Sequence, residues 1–477
     1  MGYTAAAPEK PMNFDLHIQN IGKLTDAKIR IGRFTVFAGP NNTGKSFVSK
    51  ILYSILGAMK LDHIGKNVWG LMDSLRQNLK RLEGYSEEMD SLLSPINEKM
   101  SIQNMVWVTY LLAIPRNRYT LPAKMAGEFA AHIRNVQNKF QDARLLVERM
   151  ESENSELFPF SFSESADEIE AILRKLEAEF GDENEDKILS YGAASKIKDN
   201  LIGNFQVENL SDLMAEKGMV SKVSSDHVGE LKFSSEEIDF QISQEQFSRL
   251  QKFVNVIYLE SPIYWKMKNA LESAFVYPGI SPKHESSRKP INGIPKYFYD
   301  MADAMKFRYT GDIAFPEIHK RLTGEEVLGG KIAISENNDL SFQENGRSFS
   351  MPVTAMGVAN LGILALLIER KVLDENSLIF IDEPEAHLHP AWQVVMAETL
   401  FELAKGGAHV VIATHSVDIL KWLEVHIQKH PEDEKLVALN KFPVNGNETD
   451  NRDFDYKMAA IKGELTEPFA DLYTAGL

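Results

Sequence analysis

Eight residues constrain this chain more than any others: Gly39-Pro40-Asn41-Asn42-Thr43-Gly44-Lys45-Ser46. They fit the spacing G-x-x-x-x-G-K-[ST], in which glycines let backbone amides curl around a phosphate chain and a helix points its N-terminus at it. The flanks agree. KIRIGRFTVFAG before the loop reads as extended, and in SFVSKILYSILGAM after it Val48, Ile51, Leu52 and Ile55 share one helical face, with Gly57 as the stop. In such a unit Lys45 reaches the β- and γ-phosphates and the Ser46 hydroxyl ligates Mg²⁺. Gly39, Asn41, Asn42, Thr43 and Gly44 form the cradle.

Two later strings complete a chemical set. Leu378-Ile379-Phe380-Ile381 reads as a strand buried on both faces, and Asp382-Glu383 emerge at its C-terminal end, where α/β sheets place ligands. Asp382 suits a water-mediated contact to Mg²⁺, and Glu383 suits orientation and deprotonation of an attacking water. Val410-Val411-Ile412-Ala413 is a second buried strand that delivers Thr414 and His415 to the same sheet edge, where an imidazole can hydrogen-bond a terminal phosphate.

Composition narrows what surrounds this set. The 477 residues contain no cysteine, which excludes disulfides, Cys-ligated zinc, iron–sulfur clusters and thiol catalysis. The longest strongly apolar stretch, Leu361 to Ile368, is far short of the roughly 18 residues that cross a membrane, and MGYTAAAPEKPM has no signal-peptide core. The expectation is a cytoplasmic protein without membrane contact. A net charge of −16 repels a phosphate backbone, so nucleic acid would have to bind a local basic patch.

The texture changes over residues 62–252. Phe129, Ile133, Val136, Phe140, Ala143, Val147 and Met150 recur at 4-3 spacing, as do Ala166, Ile169, Leu173, Leu176 and Phe180, with Phe158-Pro159-Phe160 between them. The pattern reads as a helical hairpin, either an antiparallel coiled-coil arm or two helices of a local bundle. Its charge is segregated: residues 116–149 carry a net +4 and residues 151–190 a net −10. Residues 228–243 read as a β-hairpin, VNVIYLESP as a buried strand, and 331–350 as a meander with turns at Asn337-Asn338-Asp339 and Asn345-Gly346.

Together these strings resemble the ABC-type ATPases of the Rad50/SMC/RecF branch. Within it, they are similar to the bacterial overcoming-lysogenization-defect-like ATPases and the ATPase subunit of the Septu anti-phage system, which are AAA family ATPases. IDEPEAHLHPAWQ resembles their acidic strand and His-Leu-His-Pro turn, IATHS their switch histidine, and VTAMGVANLGILALLIER their degenerate signature segment. The resemblance covers residues 13–60 and 330–420 closely and 61–252 hardly at all.

What it implies is an α/β, ABC-type P-loop ATPase core with an antiparallel β subdomain and a largely helical insertion. The core would be formed by residues 1–61 and 253–425, the insertion by 62–252, and a C-terminal extension by 426–477. The resemblance further implies ATP and Mg²⁺ as cofactors, and a homodimer or higher oligomer in which Thr354 and Gly357 of one subunit face the ATP of the other. Lys45, Glu383 and His415 would be catalytic, and Ser46 and Asp382 would hold the metal. Ala355 and Met356 stand where that signature has serine and glycine, so hydrolysis is expected to be slow.

A separate effector, a nuclease or toxin, is the expected partner. Asp453-Phe454-Asp455 matches an Asp-x-Asp nuclease string but follows the polar VNGNETDNR, so no nuclease domain is expected in this chain. One alternative is a RecF/Rad50-like DNA-repair ATPase that grips nucleic acid through residues 116–149. Another is the nucleotide-binding subunit of a transporter, against which the long insertion and altered signature speak. His387 and His389 have no third ligand at metal spacing, and His389-Pro390 reads as the start of a helix.

Overall fold

The structure is a computed structural model that describes residues 13–60, 74–75, 77–83, 87–99, 123–153, 162–179, 185–260, 262–268, 293–306, 311–335, 339–442 and 453–475. The chain forms two compact units. One is built from residues 1–58, 196–239 and 252–477, the other from 59–195 and 240–251.

In the first unit, β1 (Phe14–Ile21) and β2 (Leu24–Ile31) form an antiparallel hairpin, and β3 (Phe34–Ala38) follows at once. The run KIRIGRFTVFAG, expected as one extended segment, is therefore two strands in two sheets. The break falls at Gly32-Arg33, where the Gly32 N–H donates to the Thr35 hydroxyl at 2.9 Å. An antiparallel sheet runs β2-β1-β4-β5, with β4 (Ser221–Ser225) paired to β1 and β5 (Gly229–Phe233) paired to β4. The next strand in its order, β6 (Ile238–Gln241), carries the chain into the second unit. This corrects the expected insertion limits of 62–252. Residues 196–239 return to the first unit, because β1 has a free edge that β4 pairs.

The core sheet is parallel, in the order β13-β3-β12-β11-β7. Its members are β3, β7 (Val256–Leu259), β11 (Leu378–Asp382), β12 (His409–Thr414) and β13 (Val437–Lys441). β3, β11 and β12 are buried at every residue, as strands covered by helices on both faces must be. β13 was not foreseen. It pairs with β3 from Val437↔Phe34 to Lys441↔Ala38, so part of the expected C-terminal extension is a strand of the core.

The 331–350 meander is present as a separate antiparallel sheet of β8 (Gly330–Ile334), β9 (Leu340–Glu344) and β10 (Arg347–Ser350). Its Asn345-Gly346 turn has φ of 48° and 75°, the paired positive values of a tight hairpin. The other expected turn, at 337–339, lies partly outside the described residues. The helix Met356–Glu369 is buried around nearly its whole circumference from Leu361 to Ile368. A Cβ at Gly362 would lie 2.8 Å from the Ile332 side chain, so the helix and β8 approach closely only because that position is glycine.

In the second unit the expected helical pair is formed by Ala123–Glu153 and Phe162–Glu179. Ile133, Val136, Phe140 and Ala143 are buried on the first helix, and Ala166, Ile169 and Leu173 on the second. The connector Phe158–Phe160 and the side chains of Phe129, Val147, Met150, Leu176 and Phe180 lie outside the described residues. Arg144 bridges the helices, with guanidinium nitrogens 2.8 Å from Asp167 and 2.9 Å from Glu170, and it also reaches Glu148 at 3.3 Å. The carboxylates around it raise its pKa against the opposing effect of burial. At this point the basic run of the sequence meets the acidic one, and the charge of Arg144 is spent within the unit.

Candidate active site

The register of the parallel sheet brings the three strings together. β12 lies between β3 and β11, pairing Thr414 with Ala38 on one side and Ala413 with Asp382 on the other. Whatever follows Ala38, Asp382 and Thr414 must therefore emerge at one sheet edge.

After Ala38 the chain enters the glycine-rich loop. A Cβ at Gly39, whose φ is 154°, would sit 2.1 Å from the carbonyl oxygen of Phe442, just beyond β13. No side chain fits there, and the loop packs against that backbone. Asn42 and Gly44 take φ of 64° and 99°, and the Thr43 hydroxyl donates to the Pro40 carbonyl at 3.0 Å. The helix Lys45–Ala58 begins at once and runs one residue past Gly57, with Val48, Ile51, Leu52 and Ile55 buried as expected.

Lys45 folds back over the loop. Its Nζ donates to the carbonyls of Gly39 at 2.9 Å and Pro40 at 2.6 Å, and the residue is buried. Burial lowers its pKa, while the charges of Asp382, Glu383 and Glu385 oppose that shift. The lysine of the first string and the acids of the second thus share one electrostatic site.

Asp382 is buried at the end of β11, and burial pushes its carboxyl up to about 6. The nearby Ser46 hydroxyl works against that shift, Glu260 adds to it, and Lys50 and Tyr258 oppose it. Oδ2 accepts from the Tyr258 hydroxyl at 2.9 Å, whereas Oδ1 is buried with no hydrogen-bond partner.

Glu383 has φ of 51°, and its N–H donates to the Ala413 carbonyl at 2.8 Å. This tight departure from the strand leaves its side chain half-exposed beside His415, whose Nδ1 lies 3.7 Å from Glu383 Oε1.

Three contributors went unseen in the sequence. Glu385 is buried, and its Oε1 accepts from the Thr414 hydroxyl at 2.8 Å and the His415 N–H at 3.0 Å. It also stands 3.5 Å from His415 Nδ1, while its Oε2 is buried without a partner. Tyr258 holds Asp382. Glu260, which follows β7, accepts from the Tyr297 hydroxyl and pairs with Lys50 at 3.2 Å, one helical turn beyond Ser46. A second carboxylate two residues after Asp-Glu is the only signal that marked Glu385, and nothing in VNVIYLESP distinguishes Tyr258 from packing.

Lys45, Ser46, Asp382, Glu383 and His415 are brought together, whereas Thr354 and Gly357 are not part of their cluster. Thr354 is buried and its hydroxyl donates to the Ser350 carbonyl at 3.0 Å. Gly357 is buried where a Cβ would meet the His387 carbonyl at 3.0 Å. His389 caps the helix Pro390–Lys405, its Nδ1 accepting from the Ala391 N–H at 3.3 Å with Pro390 in the first turn, as the sequence suggested. His387, with φ of 62°, belongs to the turn before it. Asp453 also caps a helix: its Oδ1 accepts from the Tyr456 N–H at 2.8 Å. Among the described residues no group of three or more His, Asp or Glu side chains could hold a metal by itself. No helix among them is long and apolar enough to cross a membrane.

Residues 14–420 match the family described as AAA ATPase domain, and the chain belongs to that family. Among curated proteins, the Old nuclease of Escherichia phage P2 is 49% identical over 45 residues, which is 9% of this chain and 8% of that protein. The chain thus matches less than a tenth of the length of that relative. Two solved structures are similar at 10% identity. The SmcHead bound to the C-winged helix domain of ScpA has a TM-score of 0.35, with 86% of this chain and 90% of that one covered. The Smc head domain with an extended coiled coil, bound to the C-terminal domain of ScpA derived from Pyrococcus furiosus, has a TM-score of 0.28, with 89% and 100% covered.

Proposed function

We propose that this member of the AAA ATPase domain family binds Mg-ATP at the edge of its parallel sheet and hydrolyses it slowly. We further propose that ATP-dependent pairing of two copies gates a separate effector, a nuclease or toxin, in bacterial defence against phage. The observation that carries the nucleotide reading is the convergence of Lys45, Ser46, Asp382, Glu383 and His415 on one sheet edge. The defence role is supported by the resemblance of IDEPEAHLHPAWQ and IATHS to anti-phage ATPases and by the short match to the Old nuclease.

The residues present fit a divalent cation bound together with a triphosphate. Asp382 Oδ1 is a buried carboxylate oxygen without a donor, and the Ser46 hydroxyl lies beside that carboxylate. Two protein ligands with several phosphate and water oxygens is the habit of Mg²⁺ in nucleotide sites. When bound, the ion neutralises charge on the β- and γ-phosphates.

The chain's own groups do the rest. Lys45 trades two loop carbonyls for phosphate oxygens, and the N–H groups of the loop from Asn41 to Ser46 would cradle the phosphate chain. Glu383 orients a water and takes its proton as the water oxygen bonds to the γ-phosphorus and the bond to the bridging oxygen breaks. His415, with its backbone fixed by Glu385, hydrogen-bonds the γ-phosphate. Ala355 and Met356 begin the helix that would face the partner copy, and Ala355 offers no side-chain cap to its N-terminus. The lack of a hydroxyl there is the reason to expect slow turnover.

Steady-state hydrolysis of ATP by the purified chain, together with light-scattering mass, tests this. Lys45→Ala should abolish phosphate release and silence the effector in cells, and Glu383→Gln should retain Mg-ATP and run as a dimer. An effector fully active with Lys45→Ala would end the gating idea.

A further inference from the structure

Tyr258 lies on β7 opposite Phe380 of β11, in a register that continues to Leu259 opposite Ile381. Its side chain is fully buried, and its ring is held from several sides. The Tyr297 ring centroid is 4.5 Å away, Tyr53 stands edge-on at 5.5 Å, and Phe380 stacks at 6.1 Å. A phenylalanine would fill that space equally well. What the tyrosine adds is one hydroxyl at the sheet edge, and that hydroxyl donates to Asp382 Oδ2 at 2.9 Å.

The second tyrosine of the pair has a different target. Tyr297 donates to Glu260, which is also held by Lys50 from the phosphate-loop helix. Each hydroxyl therefore serves its own carboxylate, and only Tyr258 serves the one beside Ser46. A buried carboxylate with one oxygen fixed has one orientation and presents its other oxygen in a set direction. Here that other oxygen is Oδ1, which no protein group satisfies.

We propose that Tyr258 is a positioning residue for the divalent cation of the nucleotide site: by engaging Asp382 Oδ2 it fixes the carboxylate and reserves Oδ1 for the metal shell. The inference rests on the Mg-ATP reading above. It assigns to edge strand β7 a part in metal binding that no string in the sequence announces. Partners of metal ligands commonly change metal affinity 10–100-fold when removed, which is the size of effect to expect from a lost charge-assisted hydrogen bond.

The test is Tyr258→Phe in the full chain, with Tyr297→Phe as the control that loses a hydroxyl from the same aromatic cluster. Binding of a fluorescent non-hydrolysable ATP analogue is titrated first in EDTA and then against Mg²⁺. Tyr258→Phe should bind the analogue in EDTA as the wild type does, while its Mg²⁺ half-saturation rises about tenfold. Tyr297→Phe should leave that half-saturation unmoved. In an Asp382→Asn background, Tyr258→Phe should add nothing further.

An unchanged Mg²⁺ dependence in Tyr258→Phe overturns the inference, whatever happens to the affinity in EDTA. So does an equal shift in both phenylalanine variants, which would mark a packing effect. If Asp382→Asn alone also leaves the Mg²⁺ dependence unchanged, the metal reading of the site has failed and the role of Tyr258 falls with it. If Asp382→Asn shifts it and Tyr258→Phe does not, only the role of Tyr258 is lost.

Discussion

Asp382→Asn should stabilise the nucleotide-free protein at neutral pH while removing its activity. The wild-type carboxyl titrates near 6 in the fold against an ordinary 3.8, chiefly because it is buried. The native state therefore holds this proton more tightly than the unfolded chain. The group's contribution is fully present below about pH 4 and is lost as pH rises through 6. A gap of roughly two pH units at ~1.4 kcal/mol each makes the ionised aspartate a burden of about 3 kcal/mol at pH 7.5. Asparagine keeps an acceptor for Tyr258 and carries no charge to desolvate. For a cooperative unit of this size the gain corresponds to about 4 °C in Tm. Differential scanning fluorimetry in EDTA, at one scan rate, should show the variant melting above the wild type at pH 7.5, the gap falling to about half by pH 5 and closing only below about pH 4. Mg-ATP should reverse the order by stabilising the wild type alone. A variant that melts at or below the wild type at pH 7.5, or a gap as wide at pH 5 as at pH 7.5, would refute the desolvation account.

Three further outcomes are expected. Ser46→Ala should raise the Mg²⁺ requirement for nucleotide binding severalfold and leave binding in EDTA almost untouched; equal damage in both conditions would contradict a metal role for the hydroxyl. Glu385→Ala strips the acceptor from the Thr414 hydroxyl and the His415 N–H, so it should cost about 2 kcal/mol of unfolding free energy, measured by urea denaturation, and lower the hydrolysis rate more than nucleotide affinity. An affinity loss as large as the rate loss would speak against its hold on His415. His409, at the start of β12, is buried with both ring nitrogens unpartnered, and burial together with Arg33 lowers its pKa to about 3 from 6.5. Its stability contribution is complete above pH 6.5 and is lost as pH falls toward 3. His409→Leu should therefore remove about 2 kcal/mol of the drop in stability between pH 6.5 and 5, measured by urea denaturation.

The candidate site was legible where chemistry and hydrophobic pattern coincide. β3, β11 and β12 are apolar runs that end in residues with an obvious use, and both parts of the signal survive in one dimension. What stayed hidden depends on register. Glu385 earns its place because a turn after Glu383 brings its carboxylate back to Thr414 and His415, and no spacing rule encodes that turn. Tyr258 is a strand residue like its neighbours until β7 is set beside β11. Gly32-Arg33 reads as the middle of a strand because its neighbours on both sides are extended, although they belong to different sheets. β13 has an ordinary half-apolar sequence and becomes a core strand only because β3 presents an open edge. Thr354 adds a contact that its signature-like string does not announce: its hydroxyl donates to the Ser350 carbonyl within the chain.

The interleaving of the first unit bears on how the protein is made. β3 leaves the ribosome early, but its neighbours β12 and β13 lie more than 370 residues later. At about 5–20 residues per second, the phosphate loop exists for some tens of seconds before the strand that closes it is synthesised. During that interval β3 presents two apolar faces and two unpaired edges, the condition in which nascent chains aggregate or recruit chaperones. The second unit is complete much sooner and can settle by itself in the meantime. A messenger cut short before codon 409 would thus yield a folded second unit and a half-made parallel sheet with its apolar faces uncovered.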